Sequence, residues 1–382
     1  MITDNSAMSG IGIYVHIPFC IRKCNYCDFC SYTRKDGRDM REYSIELCRR
    51  IRAFADNQPK KLTVDTVYFG GGTPTLLPAD CFSDIMEVIG SSFDISVDAE
   101  VTAECNPASI GLDGLRRLKD VGINRLSIGL QSANDNELSE LGRLHTFSDF
   151  CDVYRDAREA GFDNISVDLM YGIPDQTVES FENTLSEVVS LSPEHISAYG
   201  LKIEQGTVFW TKRQALKLPD EDGEYEMYTL CVDMLKKNGY GRYEISNFAK
   251  QGKESKHNLK YWRLEDYVGF GVAAHSCFGG ERFGNSRDME GFLAGKDITE
   301  ERYSVSAEER RREYVMLSLR LEKGIDTEEY EAKWGSPFKV DFPVTDTLIK
   351  GGFLCECGKN ISFTTKGFFV SNSVLCEMLD FE

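Results

Sequence analysis

The sequence predicts an α/β protein built as a partial barrel of six βα units, followed by a smaller and more helical C-terminal portion. Strand-like and helix-like stretches alternate from Gly12 to about Tyr199, the pattern of parallel strands covered by helices. Six units fall short of the eight that close a barrel. Each strand also ends in polar or glycine-rich residues, as expected where a ligand sits at the carboxyl ends of parallel strands. Periodicity by itself leaves a doubly wound open sheet as the structural alternative.

The first strand-like run, Ile13–Ile17, leads into Cys20-Ile21-Arg22-Lys23-Cys24-Asn25-Tyr26-Cys27. This loop is too short to scatter its three thiols. Iron–sulfur clusters are held by cysteine thiolates, four for a cubane of four irons. Three local ligands leave one iron open to a small molecule. A disulfide needs an oxidising compartment, and structural zinc wants four ligands, usually in two spaced pairs. Cys30 and His16 are the nearest candidates for a fourth ligand, yet the C-x3-C-x2-C spacing after a strand favours the cluster.

The second strand, Thr66–Phe69, ends in Gly70-Gly71-Gly72-Thr73-Pro74-Thr75. This run is neither a phosphate loop nor GxGxxG, but its glycines let the backbone approach a ligand closely. The third strand, Ala99–Ala103, is followed by Glu104, Asn106 and Pro107, and the fourth, Arg125–Gly129, by Gln131 and Ser132. The fifth, Ile165–Leu169, carries Asp168 and then Tyr171-Gly172-Ile173-Pro174; the sixth, His195–Tyr199, runs into Gly200 and Lys202. Helix-like segments such as Arg41–Phe54, Leu112–Val121, Phe147–Ala160 and Val178–Ser190 lie between them. Alone, a carboxylate at a strand end is more often a helix cap or a surface group.

Composition bounds the function. With 382 residues, 41% hydrophobic and 28% charged, the chain has the make-up of a large globular domain plus a smaller one. Lys and Arg number 44 against 62 Asp and Glu, a net charge of −18, so the basic footprint of a nucleic-acid binder is missing. Met1–Gly10 shows no basic segment leading an apolar one, and no apolar run reaches membrane-spanning length. Thirteen cysteines without a secretory signal point to a reducing cytoplasm. Cys48, Cys81, Cys151 and Cys231 fall in apolar helical patterns and read as small buried hydrophobes. Cys355 and Cys357 have the wrong spacing for a zinc knuckle.

The cysteine loop resembles that of the radical S-adenosylmethionine (radical SAM) superfamily. The resemblance implies a [4Fe–4S] cluster on Cys20, Cys24 and Cys27, whose open iron chelates SAM. It also implies that one electron cleaves SAM to methionine and a 5′-deoxyadenosyl radical. Tyr14-Val15-His16-Ile17-Pro18-Phe19-Cys20, Arg125-Leu126-Ser127-Ile128-Gly129-Leu130-Gln131-Ser132 and Val167-Asp168-Leu169-Met170-Tyr171-Gly172-Ile173-Pro174 resemble the oxygen-independent coproporphyrinogen III oxidase-like family. By that resemblance Tyr14, Gly71, Gly72, Thr73, Glu104, Gln131, Arg143 and Asp168 contact SAM, with Tyr26 joining the cofactor-binding set. Carboxylates can accept from ribose hydroxyls, and Arg or Gln can meet the methionyl carboxylate.

Two features separate the oxidases from the heme-chaperone branch of that family. The oxidases carry a fourth cysteine two residues after the third ligand, and a longer N-terminal extension. Here that position is Phe29, and the cluster loop begins twenty residues into the chain. His257-Asn258-Leu259-Lys260-Tyr261-Trp262 is similar to the HNxxYW motif of the chaperone branch, associated there with heme, and Leu141-Gly142-Arg143-Leu144-His145 is also of its type. His257 is then the expected heme contact, with Tyr261 and Trp262 as flat apolar surface. His275 is the next candidate for the iron.

The expected division is 1–240 for the barrel, 241–305 for an extension bearing the HNxxYW motif, and 306–382 for a helical, winged-helix-like domain. That last domain should close over the barrel mouth or dock a partner. The function implied is binding of cluster, SAM and heme and delivery of heme to apo-hemoproteins, with no catalytic residue assigned. SAM-dependent decarboxylation of coproporphyrinogen III is the alternative. An electron donor is implied, and a homodimer is left open.

Overall fold

The computed structural model describes residues 10–33 and 37–379. The leader expectation rests on the first ten residues, of which 1–9 lie outside the described residues. Six parallel strands form in chain order: β1 (Ile11–Ile17), β2 (Thr63–Gly71), β3 (Asp94–Cys105), β4 (Arg125–Gln131), β5 (Ile165–Tyr171) and β6 (His195–Gly200). Each expected strand falls inside an observed one. Between them run α1 (Gly37–Asp56), α2 (Ala79–Ser92), α3 (Leu112–Asp120), α4 (Phe147–Glu159) and α5 (Val178–Leu191). Thr146 starts α4 with a reciprocal capping box to Asp149, and Thr177 caps α5.

The six strands alternate in a way that decides the architecture. Ile13, Val15 and Ile17, Val67 and Phe69, Leu126, Ile128 and Leu130, Ile165, Val167 and Leu169 are buried on one face, under the helices. The opposite face presents Tyr14, Tyr68, Glu104, Ser127, Asp168 and Ser197, one or more from every strand, to a single cavity. A flat doubly wound sheet cannot turn one face of six strands toward a common space. The sheet is therefore curved into a partial barrel, and its interior is polar where a closed barrel is usually filled by Val, Ile and Leu.

The segment after β6 extends the sheet at both edges. Helix α6 (Glu221–Lys237) leads to β7 (Gly241–Arg242) and β8 (Asn247–Ala249), antiparallel beside β6. Helix α7 (Lys256–Trp262) follows. The chain then reaches the other edge, where β9 (Tyr267–Phe270) pairs in parallel with β1. Strands β10 (His275–Phe278), β11 (Glu281–Asn285) and β12 (Thr299–Ser304) continue outward, antiparallel. The result is a twelve-stranded sheet in the order β12-β11-β10-β9-β1-β2-β3-β4-β5-β6-β8-β7.

Helix α7 crosses from edge to edge beneath the cavity. Its first turn gives the Ser255 hydroxyl and the backbone N–H groups of Lys256 and His257 to the buried Glu100 carboxylate on β3, at 3.4, 3.2 and 3.1 Å. Lys260 reaches back to the Gly10 carbonyl and to Asp65 and Glu265. Arg125, also buried, lies 4.0 Å from Glu100.

The C-terminal portion begins with α8 (Ala307–Ser318) and contains β13 (Ile325–Asp326), β14 (Leu354–Cys357) and β15 (Asn360–Phe363) in a small antiparallel sheet among short helices. It was expected to close the barrel mouth or dock a partner; none of its described residues lines the central cavity. It ties the separated sheet edges instead. Arg242 on β7 pairs with Glu322 at 2.7 Å, and Arg282 on β11 pairs with Glu313 at 3.0 Å. Among the described residues, no helix is long and apolar enough to cross a membrane.

Replacing Glu100 by Ala strands Arg125 and leaves the α7 N–H groups without an acceptor. The expected loss is about 3 kcal/mol, the scale of breaking a buried charge pair. An unchanged thermal midpoint in Glu100→Ala would remove Glu100 from this role.

Candidate functional site

The central cavity has a volume of about 510 Å³. Cys20, Cys24, Cys27, Tyr14, Tyr26, Gly71, Gly72, Thr73, Glu104, Gln131, Arg143, Asp168 and His257 all line it. The fold thus gathers residues spread over more than two hundred positions. What each does there is a matter of geometry.

The cysteine loop is fastened across the top of the barrel. Arg22 donates to the carbonyls of Gly142, at 2.5 and 3.1 Å, and Arg143, at 3.0 Å; Asn25 donates to Glu140 at 2.8 Å by its side chain and to Leu141 at 3.0 Å by its backbone. At its base, Gly72 N–H donates to Ile17 and Thr73 N–H to Phe19. Gly71 has φ +112°, and a Cβ there would stand 2.4 Å from His16 Cε1. The glycine run is therefore required first by packing against β1, and only then by any ligand.

The thiols meet donors suited to thiolates. Thr73 Oγ1 lies 3.8 Å from Cys20 Sγ, and Arg143 Nη1 lies 3.6 Å from Cys24 Sγ. Burial raises the Cys20 thiol and pushes Cys27 up to about 11, so loading a cluster displaces protons. Among the described residues no three donor side chains converge on a point fit for one metal ion. Cys20, Cys24 and Cys27 all line this one cavity, and thiolate is the donor that iron–sulfur clusters take. Cys30 is turned away: it does not line this cavity, and its sulfur lies 3.8 Å from the Tyr32 hydroxyl.

Two carboxylates face the same space. Glu104 accepts from the Tyr68 hydroxyl and Gly71 N–H, both at 3.0 Å. Burial, reinforced by the Asp168 charge, pushes it up to about 7 against those bonds. Asp168 accepts from Ser127, Ser166 and Ser197 and is also raised by burial. Gln131 sits at φ 75° at a register shift between β4 and β5, a strained bend that turns its amide inward. Arg143 Nη2 holds the Gly129 carbonyl at 2.6 Å, while its Nε has no partner.

His257 lines the cavity, as expected of a heme contact, but both of its ring nitrogens are engaged. It is 1% exposed. Its Nδ1 meets Thr66 Oγ1 and its Nε2 meets the Tyr261 hydroxyl, both at 2.8 Å. Burial, with Lys260 and Arg125 adding to it, lowers its pKa to about 3 and keeps it neutral. The ring braces the barrel base and offers no free nitrogen to iron. Sequence reasoning also passed over Arg125, Tyr68, Ser127, Ser197 and Tyr243, which line the cavity. The signal was present for the strand residues: they alternate with the apolar positions of their strands.

This curved sheet with a cysteine loop at its strand ends defines a radical SAM protein. The Radical SAM superfamily pattern matches residues 14–188, and the HemN C-terminal domain matches 305–370. That superfamily brings a [4Fe–4S] cluster and SAM as its cofactors. A heme chaperone HemW of Bacillus subtilis (strain 168) is 36% identical over 94% of this chain and 97% of its own length. The one of Escherichia coli (strain K12) is 33% identical over 96% of this chain and 97% of its own. The solved coproporphyrinogen III oxidase HemN from Escherichia coli superposes with a TM-score of 0.85 at 25% identity, covering 97% of this chain and 90% of that one. The chain belongs to the HemW heme chaperone family.

Two predictions follow from the site's electrostatics and sulfur geometry. Glu104 has its folded pKa above the ordinary 4.5, so its neutral form favours the fold; that stability is full below 4.5 and is lost as pH rises through about 7. Glu104→Gln, which cannot ionise, should gain on wild type by up to about 3 kcal/mol between pH ~5 and pH ~8. Thermal melts of both ligand-free proteins across that range check it, and a pH-independent difference would refute the shift. Separately, Ala at Cys20, Cys24 or Cys27 should abolish bound iron and brown colour, whereas Cys30→Ala should retain both.

Proposed function

We propose that this protein is a heme chaperone that binds one heme and passes it to apo-hemoproteins, using a cluster and SAM at the strand ends. The observation that carries this reading is likeness to heme chaperones over nearly the whole chain. Phe29 supports it. It occupies the position of the oxidases' fourth cysteine, is 68% exposed, and lies at the edge of the cavity.

In this reading Cys20, Cys24 and Cys27 hold the cluster. A cluster there supplies single electrons and an open iron for the amino and carboxylate groups of SAM. Arg143 and Gln131 meet the methionyl carboxylate. Glu104 and Asp168 accept from ribose hydroxyls or the ammonium group. Tyr14, Gly71, Gly72, Thr73 and Tyr26 shape the walls. Ile21, Phe29 and Leu144 are exposed apolar side chains on the cluster loop and its neighbour. They suit transient docking of a protein, either an electron donor or a heme acceptor.

The deciding experiment reconstitutes the cluster without oxygen and supplies SAM and a reductant. With coproporphyrinogen III, no decarboxylation above background is expected. With heme and an apo-hemoprotein, recovery of the acceptor's activity is expected. Efficient conversion to protoporphyrinogen would sink the chaperone reading in favour of an oxidase.

A further inference from the structure

We propose that Glu137 is a positioning residue of the cofactor site: from outside the cavity, its buried carboxylate sets Gln131, Arg143 and the cysteine loop relative to one another. This rests on the reading in which Gln131 and Arg143 meet SAM.

Glu137 lies on the short helix Asp135–Glu140, is 6% exposed, and does not line the central cavity. Its side chain joins three separate pieces of the barrel. Oε2 accepts from the Ser132 hydroxyl, just past β4, at 2.6 Å and from Gln176 Nε2, in the loop after β5, at 2.9 Å. Oε1 accepts from the Ser180 hydroxyl in the first turn of α5. These hydrogen-bond partners are all neutral. Burying a carboxylate among neutral groups is unfavourable unless its lone pairs find donors. An apolar side chain would fill the same space but would orient nothing.

The first group oriented is Gln131. Ser132 is fully buried, and its Oγ also accepts from Asn134 N–H at 2.9 Å. Ala133 N–H donates to Thr184 Oγ1 at 3.1 Å. The chain directly after Gln131 is therefore fixed by residues that do not reach the cavity. Gln131 is left at φ 75°, a conformation that persists only where its surroundings impose it. Gln176 carries the restraint onward, with Oε1 accepting from Ile173 N–H at 3.2 Å.

The second group is the cysteine loop. The carbonyls that hold Arg22 and Asn25 belong to Glu140, Leu141, Gly142 and Arg143, at the end of the helix that carries Glu137. Leu141 N–H donates to the Glu137 carbonyl and Arg143 N–H to the Leu138 carbonyl, both at 2.9 Å. That turn aims Arg143 at Cys24 Sγ and the Gly129 carbonyl. A shift of this helix moves Arg143 and the cysteine loop together, away from Gln131. The bond from Glu137 to Ser132 spans the two halves and holds them in step.

The test uses the full-length chain, with Glu194→Ala as the control. Glu194 is a mostly buried carboxylate before β6 that accepts from Arg158 and Ile165 N–H, away from the cavity. In the cluster-free protein, Glu137→Ala should speed hydrogen exchange at the Asn25 amide about tenfold, the scale of losing one hydrogen bond to a charged group. In the cluster-loaded protein, iron content should be unchanged. SAM affinity, read from the change SAM makes in the electron paramagnetic resonance of the reduced cluster, should fall by a similar factor. Glu194→Ala should leave both at wild type. SAM affinity in Glu137→Ala equal to that of wild type, or reduced no more than in Glu194→Ala, would overturn the role. If Glu137→Ala does not fold, Ser132→Ala removes one bond of the same hub, and unchanged SAM affinity there would overturn it too. Wild-type SAM affinity in both Gln131→Ala and Arg143→Ala would overturn the underlying reading as well; losses there beside an unaffected Glu137→Ala would strike the positioning role alone.

Discussion

The structure depends on a barrel whose inner face cannot pack against itself. Six strands turn Tyr, Glu, Ser, Asp and His side chains inward, and burial of such groups is unfavourable unless each finds a partner. The apolar stabilisation comes instead from the outer face, where Ile, Val, Leu and Phe meet the helices. A sheet stabilised from outside can stay open along one side. The price is a base that needs its own closure. Helix α7 supplies that closure through Glu100, Lys260 and His257, and the C-terminal portion fixes the gap through Glu322 and Glu313.

The same polarity prepares the cavity for a cation. Glu104 and Asp168 are buried within reach of one another's field, and both are pushed toward the neutral form. A positively charged ligand between them offsets that repulsion, so their discomfort without ligand becomes affinity with it. SAM is such a ligand, carrying a sulfonium and an ammonium. Arg143 works in the opposite direction, toward Cys24 and away from the carboxylates.

Local features were legible in the sequence, and long-range ones were not. The six strands could be read because Val, Ile and Leu recur with period two before each glycine or polar end. The cysteine loop could be read because its ligands are close in sequence. The course of 241–305 could not: β8 and β9 lie eighteen residues apart in sequence yet on opposite edges of the sheet, and no composition signal says that a short helix spans them. The setting of His257 is hidden for a related reason. The motif around it marks an internal brace between Thr66 and Tyr261, two contacts made by residues on different elements. The place of the C-terminal portion is not legible because helical composition carries no direction; Arg242 and Arg282 tie it to the two sides of the sheet.

The wall of Tyr14, Phe29 and Tyr261 bears on what kind of radical SAM protein this is. An enzyme that abstracts hydrogen must hold the reacting carbon against the site of radical formation, since a misplacement of about 1 Å can cost a hundredfold in rate. A carrier has no such requirement. Its cargo needs to be near enough to the cluster for occupancy of one site to influence the other, and open enough to leave. The central cavity and the one beside it share an aromatic partition of Tyr14, Phe29 and Tyr261, and Phe29 is exposed beside the cysteine loop. Phe29 in place of a cysteine therefore changes more than a candidate ligand. It puts an apolar, exposed ring beside the cysteine loop, where a thiol would have given no stacking surface.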